Sequence, residues 1–186
     1  MCFIESKVNL GDVAMAKNAR RLLFDFMQVI IIAFILSMAV RTYVVEARVV
    51  PTESMVPTIQ AGDRLMFDKL FYRIGDFDRQ DIIMFLPPQN AQLTKDQFFV
   101  KRIIGLPGDV IEIPSDGSVY VNGVKLDEPY LGSPPGYHYG PEEIPKEMLF
   151  VLGDNRGHSY DSHSWGFLPM ENVRGRLLFR FYPIRS

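Results

Sequence analysis

The hydrophobic positions of this chain form two patterns, a long apolar run near the N-terminus and short alternating segments after it. The run covers residues 22–40, nineteen positions that would span about 28 Å as a helix, close to the thickness of a bilayer's hydrocarbon core. Between Val29 and Val40 its one polar residue is Ser37. The pattern predicts a transmembrane helix, preceded by a segment of residues 1–21 and followed by a domain of residues 41–186.

Charged residues beside the apolar run indicate its orientation. Lys17, Arg20 and Arg21 precede it, so the N-terminus is expected to be cytoplasmic and residues 41–186 extracytoplasmic. A cleavable signal peptide, with its small-x-small pattern at residues 37–39, and a buried core helix are the alternatives. A retained anchor is favoured because the run is longer than a typical signal-peptide core and residues 43–45 continue directly into a predicted strand.

After residue 42 the apolar residues alternate with polar ones over short distances, which is typical of strands. This pattern predicts an all-β domain, a partly closed sheet with few free edges. Asn122-Gly123 is the strongest hairpin signal, because both residues accept the positive φ of a type I′ turn. The Pro-rich residues 127–147 are predicted to be a long loop of low functional content. The predicted strands are residues 43–50, 64–68, 81–85, 98–104, 110–113, 119–121, 124–126, 148–152 and 176–182.

Composition narrows the function classes. The formal net charge is -2, so no basic field argues for a nucleic-acid partner. Cys2 is the single cysteine, which excludes an internal disulfide and a cysteine-based zinc site.

The stretch VVPTESMVPT places Ser54 between two prolines. Pro51 and Pro57 fix φ at two points, a way of presenting one hydroxyl in a defined place. Thr52 would project to the same side in an extended backbone, and with the N–H of Ser54 it could form a two-donor oxyanion site. A rigid surface turn is the competing interpretation of this stretch.

A lysine lies in the apolar strand FFVKRII. Lys101 shares one face with Phe99 and Ile103, and desolvation there would lower its pKa toward the range of a general base. The alternative is that Lys101 or its neighbour Arg102 extends to water at a sheet edge.

The loop GDNRGHSYDSHSWG collects carboxylate, hydroxyl and imidazole groups between two glycines. Its side chains could orient a catalytic residue. Two other hypotheses are a Ser54–His–Asp triad and a metal site, although the spacing matches no familiar metal motif. The triad and metal candidates in the loop are Asp154, His158, Asp161 and His163.

Together, these features resemble type I signal peptidases, the membrane-anchored serine proteases that remove signal peptides from exported proteins. The blocks that carry the resemblance are VVPTESMVPTIQAGD, VKRIIGLPGD and GDNRGHSYDSHSWGFLP, which follow the membrane span in the family's order. The resemblance implies that Ser54 is the nucleophile and Lys101 its general base. It implies that Thr52 and the Ser54 N–H form the oxyanion hole, that Ser159 orients the lysine, and that Asp161 supports the loop.

The resemblance also implies the substrate and the setting. Val50, Met55 and Val100 match positions that line shallow pockets for small residues at −1 and −3 of the cleaved peptide. The implied partners are signal-peptide-bearing preproteins and the lipid bilayer of the plasma membrane, with no cofactor, metal or nucleic acid. The family's accessory β insertion is expected to be short here, at about residues 114–147.

Several positions depart from the family pattern. Glu53 stands where a small residue is usual, and it is expected to point outward. His163 replaces the usual arginine partner of Asp161, and Gly157-His158 replaces Asp-Asn. These changes put the loop's salt bridge in doubt and suggest that it is sensitive to pH.

Two other functions fit parts of the sequence. A self-cleaving repressor-type protease would share the Ser–Lys fold, but the membrane span and the lack of a DNA-binding domain argue against it. A membrane-anchored binding protein would retain the fold without turnover, and the intact Ser54 and Lys101 disfavour it.

Overall fold

The computed structural model describes residues 10–70, 76–91 and 97–183. The chain divides into two compact units, Met1–Thr42 and Tyr43–Ser186. In the described part there are two α-helices, three short 3₁₀ helices and eleven strands. The helices are α1 (Leu10–Tyr43) and α2 (Ser162–Trp165), and the strands are β1 (Val45–Val49), β2 (Arg64–Asp68), β3 (Ile82–Phe85), β4 (Phe99–Gly105), β5 (Val110–Ile113), β6 (Tyr120–Val121), β7 (Val124–Lys125), β8 (Tyr139–Glu143), β9 (Met148–Leu152), β10 (Leu168–Pro169) and β11 (Val173–Tyr182).

Helix α1 contains the apolar run and extends beyond both of its predicted ends, 22 and 40. The chain has no glycine or proline between Gly11 and Pro51, so nothing interrupts the helix before the β-branched residues Val44 and Val45 favour strand β1. Its segment Arg20–Tyr43 is long and apolar enough to cross a membrane. The prediction of one N-terminal apolar helix that is followed in sequence by a mainly β domain is confirmed.

The described strands form a seven-stranded sheet in the order β1-β2-β11-β3-β4-β9-β10 and a four-stranded sheet in the order β7-β6-β5-β8. The larger sheet curls into a half-barrel. Every pairing is antiparallel, and β11 lies between β2 and β3, so the last described strand joins the two halves of the larger sheet. Three predicted strands have the observed bounds: β2, β5 and β9.

The prediction of a loop at residues 127–147 is wrong in part, because strand β8 lies within it and pairs with β5. Its sequence YGPEE has no alternation and contains residues that disfavour strands, so local pattern does not reveal it. Gly140 has a φ of 74°, and its Cα approaches the carbonyl of Ile111 too closely for any side chain. The strand therefore forms through backbone contact with β5 and not through its own propensity.

The two-residue strand β10 and the four-residue helix α2 were not predicted from the sequence. Strand β11 begins three residues before its predicted start. Such short elements hold few apolar positions, so neither a two-residue nor a 3.6-residue period can be recognised in them.

Candidate active site

Ser54 and Lys101 meet in a hydrogen bond, with Ser54 Oγ and Lys101 Nζ 2.5 Å apart. Ser54 lies in the connection between β1 and β2, and Lys101 is the third residue of β4. Both are buried, with only 9% and 3% of their surfaces exposed. The two residues are 47 positions apart in sequence, so their contact depends on the fold of the sheet.

The turn that carries Ser54 is anchored on both sides by apolar side chains. Val50, Met55 and Ile59 are buried and pack against Leu65 and Phe67 of β2. The backbone of Val50 closes the connection by accepting the Gly62 N–H at 2.8 Å and donating to the Asp63 carbonyl at 2.9 Å. These contacts place Ser54 rigidly above the core.

Lys101 lies on a strand with neighbours on both sides, β3 and β9. Burial lowers its pKa from 10.5 to about 8, and the nearby carboxylates of Asp161 and Asp154 oppose that shift. Its ammonium nitrogen is 5.8 Å from the ring centroid of Phe99, the apolar neighbour expected on the same face. A lysine in this environment can be neutral near physiological pH and can accept a proton.

Two neighbours of Ser54 face the solvent. Thr52 is exposed, and its Oγ1 lies 3.3 Å from Ser54 Oγ. Glu53 is also exposed, as the sequence led us to expect. The hydroxyl of Thr52 is thus close to the serine oxygen, whereas the carboxylate of Glu53 lies on the surface.

The loop of residues 153–161 contacts the Ser54 turn through its backbone. Asn155 donates its N–H to the Ser54 carbonyl at 3.0 Å and its side-chain amide to the Glu53 carbonyl at 3.1 Å. A Cβ on Gly153 would lie closer than 3 Å to both the Ser54 carbonyl oxygen and Ser159 Oγ. Only glycine allows this close approach, so the loop and the turn form one packed unit.

Asp161 organises the loop from within. It is fully buried, and its Oδ2 accepts the Gly153 N–H at 2.8 Å and the hydroxyl of Ser159. Its Oδ1 lies 2.7 Å from Nδ1 of His163. Ser159 is therefore held by Asp161 beside Gly153, next to the backbone of Ser54.

A buried ion pair connects the loop to strand β4. Arg102 donates two hydrogen bonds to Asp154, at 2.9 and 2.6 Å, and Thr58 donates a third at 2.6 Å. The guanidinium of Arg102 stacks over Tyr130 at 3.8 Å. Neither of the two cations therefore extends freely to water, because Lys101 is bonded to Ser54 and Arg102 is paired with Asp154.

Sequence reasoning missed the contribution of the Pro-rich segment. Glu128 and Arg156 form a buried ion pair, with 6% and 0% of their side chains exposed, and Tyr130 donates its hydroxyl to Glu128 at 2.8 Å. Arg156 also donates to the carbonyl of Gly153 at 3.0 Å. Through these contacts residues 127–147 help to hold the loop beside Ser54, which was not expected of a loop of low functional content. The tyrosines among its prolines were the available signal, since aromatic side chains commonly pack.

The histidines of the loop take different positions. His158 is exposed and lines the cleft at Ser54, whereas His163 is bonded to Asp161 and, through Nε2, to Ser164 Oγ at 2.9 Å. The Ser54 hydroxyl is hydrogen-bonded to Lys101, which gives no support to a triad. Among the described residues, no group of three metal-ligating side chains is arranged to hold an ion.

A cleft of about 550 Å³ opens at the Ser54–Lys101 pair. Val50 and Val100, two of the three predicted pocket residues, line it together with Phe98. Met55, the third, is fully buried in the core below the turn and does not line this cleft. An apolar cleft beside a buried serine and lysine is the kind of site at which a substrate binds.

Known proteins of one family are similar to this chain in sequence. Residues 23–182 match the family model described as signal peptidase, peptidase S26. The probable signal peptidase I-2 of Synechocystis sp. is 50% identical over 154 residues, covering 82% of this chain and 70% of that protein. The signal peptidase I of Leptolyngbya laminosa is 43% identical over 167 residues, covering 87% and 81%. A crystal structure of a signal peptidase I from Enterococcus faecalis V583 is 33% identical, with a TM-score of 0.48 over 56% of this chain and 99% of that one.

The family model and both relatives extend over most of this chain, and both relatives are matched over more than two thirds of their own length. The chain therefore belongs to the signal peptidase family, peptidase S26, and is a serine endopeptidase of that family.

Proposed function

We propose that this protein is a membrane-anchored endopeptidase that removes N-terminal signal peptides from exported preproteins through a Ser54–Lys101 dyad. The observation that carries the proposal is the 2.5 Å hydrogen bond between Ser54 and a buried lysine whose pKa is lowered to about 8. A serine hydroxyl is a weak nucleophile until a neighbouring base accepts its proton.

In the proposed reaction, neutral Lys101 takes the proton of Ser54 Oγ while that oxygen attacks the scissile carbonyl. The oxyanion that forms receives hydrogen bonds from the backbone N–H of Ser54 and the hydroxyl of Thr52. The Lys101 ammonium then gives its proton to the leaving amine, and an acyl-enzyme remains. Lys101, neutral again, activates the water that releases the acyl group and regenerates the Ser54 hydroxyl.

Two residues support the dyad in this proposal. Ser159 orients Lys101, and Asp161 fixes Ser159 by accepting its hydroxyl. Val50 and Val100 line the cleft and favour small side chains at −1 and −3 of the substrate, and Met55 packs in the same hydrophobic cluster without lining the cleft.

Helix α1 is proposed to be a single transmembrane anchor, with the N-terminus in the cytoplasm and the catalytic domain on the extracytoplasmic face of the plasma membrane. Its apolar segment and the basic residues before it support this topology. Cys2, the single cysteine, provides the test. In intact spheroplasts it should resist a membrane-impermeant maleimide, whereas Glu143→Cys in a Cys2→Ser background should react. Labelling of Cys2 under these conditions would show that the topology is the opposite of the one proposed.

The dyad is tested with a preprotein that carries Ala-x-Ala before its scissile bond. Ser54→Ala and Lys101→Ala should each abolish cleavage, whereas His158→Ala and His163→Ala should retain substantial activity. If a histidine variant were inactive while Lys101→Ala remained active, the dyad would be rejected in favour of a triad. A chelator added to the same assay should leave the rate unchanged, and a loss that zinc restores would indicate a metal site.

A further inference from the structure

His163 makes contacts with both of its ring nitrogens and one ring face. Nδ1 lies 2.7 Å from Asp161 Oδ1, and Nε2 lies 2.9 Å from Ser164 Oγ. The ring stacks on Tyr137 with centroids 3.9 Å apart and planes inclined by 11°. The side chain is 21% exposed, so it can exchange protons with solvent while Asp161 beside it is fully buried. Each nitrogen has a partner that accommodates either charge state of the imidazole.

The charge of Asp161 reaches Lys101. Of the two carboxylates that favour the ammonium form of Lys101, Asp161 has the larger effect and Asp154 the smaller. One oxygen of Asp161 holds Ser159 and Gly153, and the other faces His163. The imidazole is thus in direct contact with the carboxylate that most strongly opposes a neutral lysine.

Two ionisable groups beside this pair, Tyr137 and Arg156, keep a constant charge around neutral pH. Burial raises the pKa of Tyr137, and Asp161 reinforces the shift, so the ring stacked on His163 stays uncharged. Arg156, which also influences Tyr137, is neutralised by Glu128.

On the strand side, Asp154 is neutralised by Arg102. Histidine is the side chain whose charge ordinarily changes between pH 5 and 8. Of the chain's three histidines, His138 and His158 are exposed and His163 is bonded to Asp161, so His163 is the histidine whose charge acts directly on that carboxylate.

We propose that His163 is a positioning residue that acts as a titratable counter-charge to Asp161 and thereby sets how strongly Asp161 holds a proton on Lys101. The proposal rests on the function of Lys101 as general base. When His163 is neutral, the negative charge of Asp161 acts on Lys101 without compensation. When His163 is protonated, its positive charge cancels much of that attraction, so the neutral amine of Lys101 becomes easier to reach.

This coupling has a kinetic signature. As the pH falls, Lys101 gains a proton and kcat/KM declines, but protonation of His163 partly offsets the decline. The acid limb should therefore be less steep than the tenfold per pH unit expected of a single protonation.

The test compares full-length variants that have either a permanent positive charge or no charge at position 163. Relative to His163→Gln, His163→Arg should move the acid limb to lower pH by about half a unit, which is about threefold in kcat/KM on that limb. The wild type should follow the Gln variant at high pH and approach the Arg variant at low pH. His138→Gln, which removes the exposed histidine next to Tyr137 in the sequence, should superimpose on the wild type. Coincident Arg and Gln profiles would overturn the proposal.

A second measurement separates this inference from the proposed mechanism. In full-length Ser54→Ala protein in detergent micelles, the ¹³C resonance of the Lys101 ε-carbon reports its titration without turnover. That titration should lie at lower pH with His163→Arg than with His163→Gln. Coincident titrations would overturn the inference even if Ser54→Ala and Lys101→Ala are inactive. If the titration of Lys101 shifts between the two variants but Lys101→Ala still cleaves, the coupling is upheld and the dyad is rejected. Thermal unfolding verifies each variant, and His163→Asn replaces Gln if the latter does not fold.

Discussion

Gly153 packs against the backbone of Ser54 so closely that a methyl group on Gly153 would overlap the Ser54 carbonyl oxygen. The two residues are far apart in sequence, yet the position of the serine depends on the absence of a side chain at the glycine. Asn155 strengthens the same contact by donating its N–H to that carbonyl. The loop is therefore part of the framework that holds the nucleophile.

We expect Gly153→Ala to reduce cleavage at least a hundredfold, because the added methyl displaces Ser54, Ser159 or both from their present positions. Gly157→Ala is the matched control in the same loop, since no atom lies within 4 Å of a Cβ at that position. Steady-state cleavage and thermal unfolding of both variants provide the measurement. Full activity in Gly153→Ala would show that the close packing is irrelevant to catalysis.

The lowered pKa of Lys101 predicts how the rate depends on pH. Since the base must be neutral, kcat/KM should rise with pH and level off above about 8. Initial rates between pH 5 and 10 with a short peptide substrate would measure this limb. A rate that is already maximal at pH 6 would contradict the assignment of Lys101 as the base.

The same shift predicts that Lys101→Met is inactive but more stable. An unfolded lysine keeps its proton up to its ordinary pKa of 10.5, whereas the folded one releases it near 8. Between pH 8 and 10.5 the unfolded state binds more protons than the folded state, so the stability of the wild type rises with pH. Below pH 8 Lys101 is charged in both states, and the folded protein bears the full cost of burying that charge. We expect a gain in the free energy of unfolding on the order of 2 kcal/mol at pH 7, measured by urea unfolding in detergent. Above pH 10.5 the gain should vanish.

Glu128→Ala should destabilise the protein by about 3 to 5 kcal/mol, because it leaves the charge of Arg156 buried without a partner. Cleavage should fall as well, since Arg156 also binds the carbonyl of Gly153. Glu142→Ala removes an exposed carboxylate that is hydrogen-bonded to Tyr139, and it should change stability by less than about 1 kcal/mol. Equal midpoints of unfolding for the two variants would refute a structural role for the Pro-rich segment.

Thr52→Val should lower kcat by about 10² to 10³ with little change in KM, if its hydroxyl stabilises the oxyanion. Thr52→Ser keeps the hydroxyl and should retain most of the activity. The isosteric valine keeps the shape of the side chain, so a loss would report on the hydroxyl. An unchanged kcat in Thr52→Val would remove Thr52 from the oxyanion hole.

Much of the fold could be predicted because alternating apolar positions are a direct consequence of burying one face of a strand. Strands β2, β5 and β9 were found with their observed bounds for this reason. Strand β8 could not be found, because its contacts are made by the backbone and its side chains are mostly exposed or partly exposed. The same limitation applies to β10, which has only two residues.

The candidate site was predicted less from local pattern than from the combination of three separated blocks. Pattern alone cannot choose between Lys101 and Arg102, because adjacent strand positions both have apolar neighbours. The structure distinguishes the two residues, because Arg102 is paired with Asp154 and Lys101 is bonded to Ser54. The partner of Arg156 could not be predicted either, since nothing local connects it to a glutamate 28 residues away.

The central place of β11 in the larger sheet has a consequence for when this protease becomes able to cut. Ser54 lies beside the ladder of β1 and β2, and Lys101 lies in the ladder of β3 and β4. Strand β11 joins these two ladders, and it is synthesised after both. If Ser54 and Lys101 act together as proposed, a chain that is still being synthesised is expected to be inactive until β11 has joined the sheet.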